Sequence, residues 1–146
     1  MMRFAKNFFT KEEQQKIIQC IQEAEKNTSA EIRVHLENFC FINPIKRAEK
    51  VFIKNKMHLT QHRNAVLFYF AVISRKMAII GDKGIYEKVD RKFWDDLVNQ
   101  LIQSLKNNSH TADVLCNCII KVGEVLAQYF PPTEENPNEL SNEISF

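Results

Sequence analysis

Glycine, proline and tryptophan are scarce in this chain: three glycines, four prolines and one tryptophan among 146 residues. No G-x-x-x-x-G-K-[ST] spacing occurs, which excludes a P-loop cradling a nucleotide phosphate. The four cysteines, Cys20, Cys40, Cys116 and Cys118, form no C-x-x-C pair and sit within apolar patterns, as buried reduced thiols do, so a disulfide scaffold is excluded. Cys116 and Cys118 stand two apart, which on a helix splays them by roughly 200° and prevents joint chelation of one ion. The longest apolar run, residues 65–73, is far short of the roughly 20 residues a spanning helix needs. Charge at Lys6 interrupts the N-terminal stretch before a signal-peptide core can develop, so the cytoplasm is the expected location, with no membrane anchor. His58 and His62 have helical spacing but no glutamate follows His58, as H-E-x-x-H requires, and no third ligand is evident. No Ser-His-Asp or Cys-His arrangement is readable, because no nucleophile stands in an elbow-like turn.

A net excess of charge is also nearly absent. Lys+Arg number 20 against 18 Asp+Glu, a net of +2, but the residues from Pro131 onward hold four glutamates and no base, leaving the body at 20 − 14 = +6. That excess suits a phosphate or an acidic partner and is too small for a nucleic-acid protein. Length and composition fit one domain, residues 1–130, followed by a polar acidic tail, residues 131–146, with little to bury and expected to be disordered.

What is present is periodic. Thr10 with Glu13 forms a capping box, and Ile17, Ile18, Ile21 and Ala24 recur at helical spacing until Asn27-Thr28-Ser29. Glu31-Ile32-Arg33-Val34-His35-Leu36 alternates with period two, predicting a strand that is half exposed or near an edge. Asn43-Pro44 is an N-cap followed by proline at the first helical position, and the helix is expected to run to about Met57. Residues 64–73 and 77–80 read as two central strands joined as a hairpin through Ser74-Arg75-Lys76. The first strand reaches the second through a helix, so those two should be parallel with a right-handed crossover. Val89, Phe93, Leu97, Leu101 and Leu105 predict one long amphipathic helix, broken at Asn107-Asn108-Ser109, and residues 114–126 predict a last helix ending before Pro131-Pro132.

The candidate site lies at one end of this sheet. Gly81-Asp82-Lys83-Gly84 joins a buried strand to a helix, a place where ligands bind in α/β folds. Gly81 and Gly84 permit φ > 0 and a nest of N–H groups for an anion; Asp82 serves either as a cap or in a cation site. A hairpin brings its open ends together, so Arg63 and Asn64 should meet Asp82, as a binding cluster or as an Arg63–Asp82 ion pair that holds the sheet end. Arg75 belongs to the opposite end. Asp90, Asp95 and Asp96 decorate the long helix, and Trp94 beside Phe93 closes a core or shapes a pocket wall.

In order, Arg63-Asn64-Ala65-Val66-Leu67, Arg75-Lys76-Met77-Ala78-Ile79, Gly81-Asp82-Lys83-Gly84-Ile85, Val89 and Phe93-Trp94 resemble the TPM domain family. Ser29-Ala30-Glu31-Ile32-Arg33-Val34 is similar to the family's first strand, and the resemblance covers about residues 8–131. It implies a three-layer α/β/α sandwich around a small mixed sheet. It further implies weak acid phosphatase activity with a divalent cation (Ca or Mg) in some members, and assembly or repair of membrane complexes in others. Longer members carry a G-Y-G-L-E-G stretch where this chain has Gly81-Asp82-Lys83-Gly84-Ile85-Tyr86, and an F-x-x-G-D-Y-like motif where it has residues 105–110, so acidic positions for a metal are altered.

The leading expectation is therefore a non-catalytic binding or accessory domain using Arg63, Asn64, Asp82, Gly81, Gly84 and Trp94 toward a protein or a phosphate-bearing ligand. Under the alternative, a weak phosphomonoesterase, Asp82 with Asp90 would hold the ion and Arg63 would steady the developing charge. An oligomeric structural protein needs only an exposed apolar patch.

Overall fold

The Thr10 hydroxyl accepts from the Glu13 amide at 3.1 Å and the Glu13 carboxylate accepts from the Thr10 amide at 2.9 Å, so the capping box starts a helix where the sequence places it. In the computed structural model, which describes residues 3–133 and 140–146, that helix is α2 (Lys11–Glu25), preceded by a single turn, α1 (Ala5–Phe8), that periodicity does not reveal. Ile17 and Ile21 of α2 are fully buried.

Strand β1 (Glu31–Glu37) pairs in parallel with β2 (Ala65–Ala71), Glu31 opposite Ala65 and Glu37 opposite Ala71. Helix α3 (Pro44–Lys54) connects them, started by the Asn43 side chain accepting from the Ile45 amide at 2.8 Å. It stops three residues before the expected Met57. Lys56 takes a left-handed φ of 58° and Met57–Leu59 becomes a short 3-10 turn, so His58 and His62 never share a helical face. The hairpin is as expected: β3 (Lys76–Gly81) runs antiparallel to β2, and Arg75 absorbs the turn at φ 54°.

A short helix precedes the predicted long one, which forms as a single element. Asp82 starts a four-residue helix, α4 (Lys83–Tyr86), and Asp90 restarts the chain as α5 (Arg91–Asn107), leaving Val89 between them. Helix α6 (Thr111–Tyr129) ends before Pro131, as its sequence requires.

The fold is the α/β/α sandwich. Ile32, Val34, Leu36, Val66, Phe68, Phe70, Met77 and Ile79 face a core shared with α2, α5 and α6. Leu67, Tyr69, Ala71, Ala78 and Ile80 face Ala48, Val51 and Phe52 of α3. Every residue of β2 is buried, the signature of a central strand covered on both faces.

Strand β1 lies at the edge of the sheet, as expected, and the departure is in the segment that follows Pro131. Residues 140–146 return to β1 instead of lying free: Leu36 donates to the Ser145 carbonyl and Ser145 to the Val34 carbonyl, both at 2.9 Å, Leu140 donates to Glu31 at 2.8 Å, and Ile144 is buried. The physical reason is that a strand edge offers unpaired backbone groups, which even a polar segment can satisfy. The rest of the expected tail corresponds in part to residues 134–139, which lie outside the described residues.

Candidate functional site

Asp82 sits where β3 leaves the sheet, and its amide donates to the Ala65 carbonyl at 2.9 Å, holding the strand end of β2. Its carboxylate accepts three hydrogen bonds. Oδ1 accepts from the Lys83 amide at 2.7 Å, capping α4, and Arg63 closes a fork with Nε to Oδ2 at 2.8 Å and Nη2 to Oδ1 at 2.9 Å. The Asp82 side chain is 5% exposed, whereas that of Arg63 is 51% exposed. A buried carboxylate thus orients a guanidinium that still faces solvent, and the hydrogen bonds that Arg63 donates to Asp82 raise its pKa above even the ordinary arginine range.

The two glycines act differently from the sequence expectation. Neither has a positive φ; among the described residues that conformation falls to Lys56, Arg63, Arg75, Asn108 and His110. Gly84 is required by close approach: a Cβ there would lie 2.9 Å from the Arg63 carbonyl oxygen and 3.1 Å from that of His62. Its amide donates to the Arg63 carbonyl at 3.1 Å. At Gly81 the space is taken by Ile85, whose Cγ2 would stand 2.8 Å from an added Cβ. In place of an anion nest on left-handed glycines, Gly84 packs closely against backbone and Gly81 against the Ile85 side chain.

Asn64 is buried, and its Nδ2 donates to the Ser29 hydroxyl at 3.2 Å. It ties the start of β2 to the segment before β1, at the same sheet end as Arg63 and Asp82, with its side chain directed to Ser29. Trp94 is not part of the cluster. It lies 7% exposed in the core beneath α5, edge-on to Phe93 with ring centroids 5.1 Å apart. Asp90 caps α5, accepting from the Lys92 amide at 3.3 Å. Both Asp82 and Asp90 are thus helix caps, and among the described residues no three His, Cys, Asp or Glu side chains are grouped to hold a metal ion.

A second polar cluster was not anticipated. On the α3 side of β1, Arg47 donates from Nε and Nη2 to the two oxygens of Glu37, each at 2.8 Å, and the Tyr69 hydroxyl also donates to Glu37. Burial would raise Glu37, but the Arg47 and Tyr69 hydrogen bonds outweigh it and hold the carboxyl below its usual range. The His35 ring stacks on Tyr69, and its Nδ1 lies 2.7 Å from the Ser145 hydroxyl. Ser145, His35 and Glu37 have the residue types of a hydrolase triad without its geometry. Glu37 is occupied by Arg47 and Tyr69, it lies 3.9 Å from His35 Nε2, and burial depresses His35 to about 4, a poor base at neutral pH. The cluster fastens residues 140–146 to β1. Polar residues at alternate positions 31, 33, 35 and 37 were the available signal; Arg47 and Ser145 are distant in sequence and gave none.

Elsewhere burial pushes Glu25 up to about 7, with its Oε2 accepting from the Ile32 amide at 2.8 Å and Glu31 nearby. Burial also raises Cys116 to about 12 and Cys118 to about 11, so both stay protonated packing thiols. No helix among the described residues is long and apolar enough to cross a membrane.

The sequence model of the TPM domain matches residues 3–113 of this chain. The solution structure of the BA42 protein from the psychrophilic bacterium Bizionia argentinensis is similar at TM-score 0.85 and 42% identity, covering 96% of each chain. The N-terminal domain of the cg2496 protein from Corynebacterium glutamicum shares the fold at TM-score 0.55 and 14% identity, covering 94% of this chain and 80% of that one. No curated protein sequence matches.

Proposed function

The chain belongs to the TPM domain family, and from that premise we propose that it is a non-catalytic binding or accessory domain that receives an anionic group of a partner at the Arg63 end of the sheet. One observation carries this reading: Arg63 is half exposed while the buried Asp82 fixes its orientation through two hydrogen bonds. A guanidinium held in this way loses little freedom when a carboxylate or phosphate docks on its outer edge. The same bonds argue against metal-assisted chemistry at this point. Both Asp82 oxygens already accept from Arg63, and one of them from Lys83 as well, so an ion would have to displace a fork and a helix cap.

The test is recovery of a protein partner from extract by immobilised wild type, Arg63→Lys and Arg63→Glu. Wild type should retain it, Arg63→Lys should weaken it because the fork is lost, and Arg63→Glu should abolish it with the circular dichroism unchanged. Equal recovery by all three would move the site elsewhere. A phosphomonoesterase would be recognised in the same preparations. Turnover that depends on Mg²⁺, Ca²⁺ or Mn²⁺ and disappears in Asp82→Ala would replace the non-catalytic reading.

A further inference from the structure

The opposite end of the sheet carries a different surface. After β1 the chain passes over the hairpin turn: Ile73 donates to the Asn38 carbonyl at 2.9 Å, Cys40 donates to the Ser74 hydroxyl at 3.0 Å, and Lys76 Nζ donates to the Cys40 carbonyl at 3.2 Å. These bonds hold a loop that pushes apolar side chains outward. Phe41 is 86% exposed, and Phe39, Ile42 and Ile45 are between 43% and 49% exposed. Phe39 and Phe41 stack with centroids 5.6 Å apart, so they form one patch. Four large exposed apolar residues within seven positions is a concentration that scattered surface hydrophobics do not produce.

The rim of this patch is basic. Lys46 and Lys50, one turn apart on α3, are exposed beside it, and Arg75 is exposed on the underlying turn. Glu49 is the exposed acidic residue on the same stretch of α3, while Arg47 and Glu37 neutralise each other. Two copies meeting face to face through this surface would set like charges together, which disfavours self-association. Aromatic and aliphatic side chains ringed by lysines instead match the boundary between headgroups and acyl chains of a bilayer rich in anionic lipid.

We infer that this end of the molecule docks peripherally on an anionic membrane surface, with Phe39, Phe41, Ile42 and Ile45 entering the interface and Lys46, Lys50 and Arg75 against the headgroups. Because the seven residues of β2 separate the two ends by about 20 Å at roughly 3.3 Å per residue, Arg63 would face away from the membrane. The inference does not depend on what Arg63 binds.

Flotation with vesicles tests it, using phosphatidylcholine alone or with phosphatidylserine as about one-third of the lipid. The full chain should float with the anionic vesicles and stay behind with the neutral ones. Phe41→Asp with Ile42→Asp should abolish flotation, and Lys46→Glu with Lys50→Glu should weaken it by at least about five-fold per lysine. Lys92→Glu with Lys106→Glu, on the exposed surface of α5, should leave it unchanged. Three results would overturn the inference: no flotation with anionic vesicles, equal loss in the α5 variant, which would mean undirected charge attraction, or a concentration-dependent dimer that Phe41→Asp dissolves. Far-ultraviolet circular dichroism of each variant verifies that the fold survives, as exposed positions should allow.

Discussion

Arg63 and Asp82, nineteen residues apart, meet as a two-bond fork in which one partner is buried and the other half exposed. The buried partner also caps α4, so a single carboxylate serves an ion pair and a helix start.

Substitutions at Asp82 separate those roles. Asp82→Ala removes both and should cost at least the roughly 1 kcal/mol of a lost N-cap in urea unfolding. Asp82→Asn keeps a good cap and removes only the charge, so it should retain most of the stability while releasing the Arg63 guanidinium. If alanine and asparagine destabilise equally, the cap contributes nothing and the pair carries the whole effect.

Gly84→Ala should destabilise, although replacing glycine in a helix ordinarily stabilises by about 0.4–1 kcal/mol. The added Cβ meets the carbonyl oxygens of Arg63 and His62, which are backbone atoms and cannot rotate away. A loss of about 1–3 kcal/mol is expected, with amide chemical-shift changes centred on residues 62–64. An unchanged or raised melting temperature would show that the strand end yields freely.

Stability against pH should reveal two opposed protons. His35 titrates near 4 in the folded chain against an ordinary 6.5, so its contribution is complete above about 6.5 and is lost as pH falls toward 4. Glu25 titrates near 7 against an ordinary 4.5, so its contribution is complete below about 4.5 and is lost as pH rises toward 7. Between 4.5 and 6.5 the two slopes offset each other. Glu25→Gln keeps an acceptor for the Ile32 amide and should gain on wild type with rising pH, on the order of 1 kcal/mol per unit. His35→Gln should do the reverse. Urea unfolding at acidic to neutral pH measures both, and a pH-independent difference for either variant would remove that residue from the account.

Much of the frame is legible in the sequence because it rests on local chemistry. Thr10 with Glu13, Asn43 with Pro44, and the apolar run of β2 announce their elements through caps and periodicity, and the sheet end joining Arg63 to Asp82 follows from hairpin geometry alone. The less legible parts are positive-φ residues and caps inside a periodic run. Nothing in Lys56 signals a left-handed turn, and Asp90 interrupts an apolar pattern that continues past it from Val89 to Phe93.

The sequence by itself determined the order of the longer elements, the parallel and antiparallel pairings, and the family, since each depends on spacing along the chain. Tertiary structure alone decided that Asn64 turns to Ser29, that Trp94 belongs to the core, and that Gly84 answers to a neighbouring backbone. It also decided that residues 140–146 cover β1 through His35 and Ser145. Those outcomes depend on groups tens of residues apart competing for the same hydrogen bonds and the same volume, which no local pattern encodes.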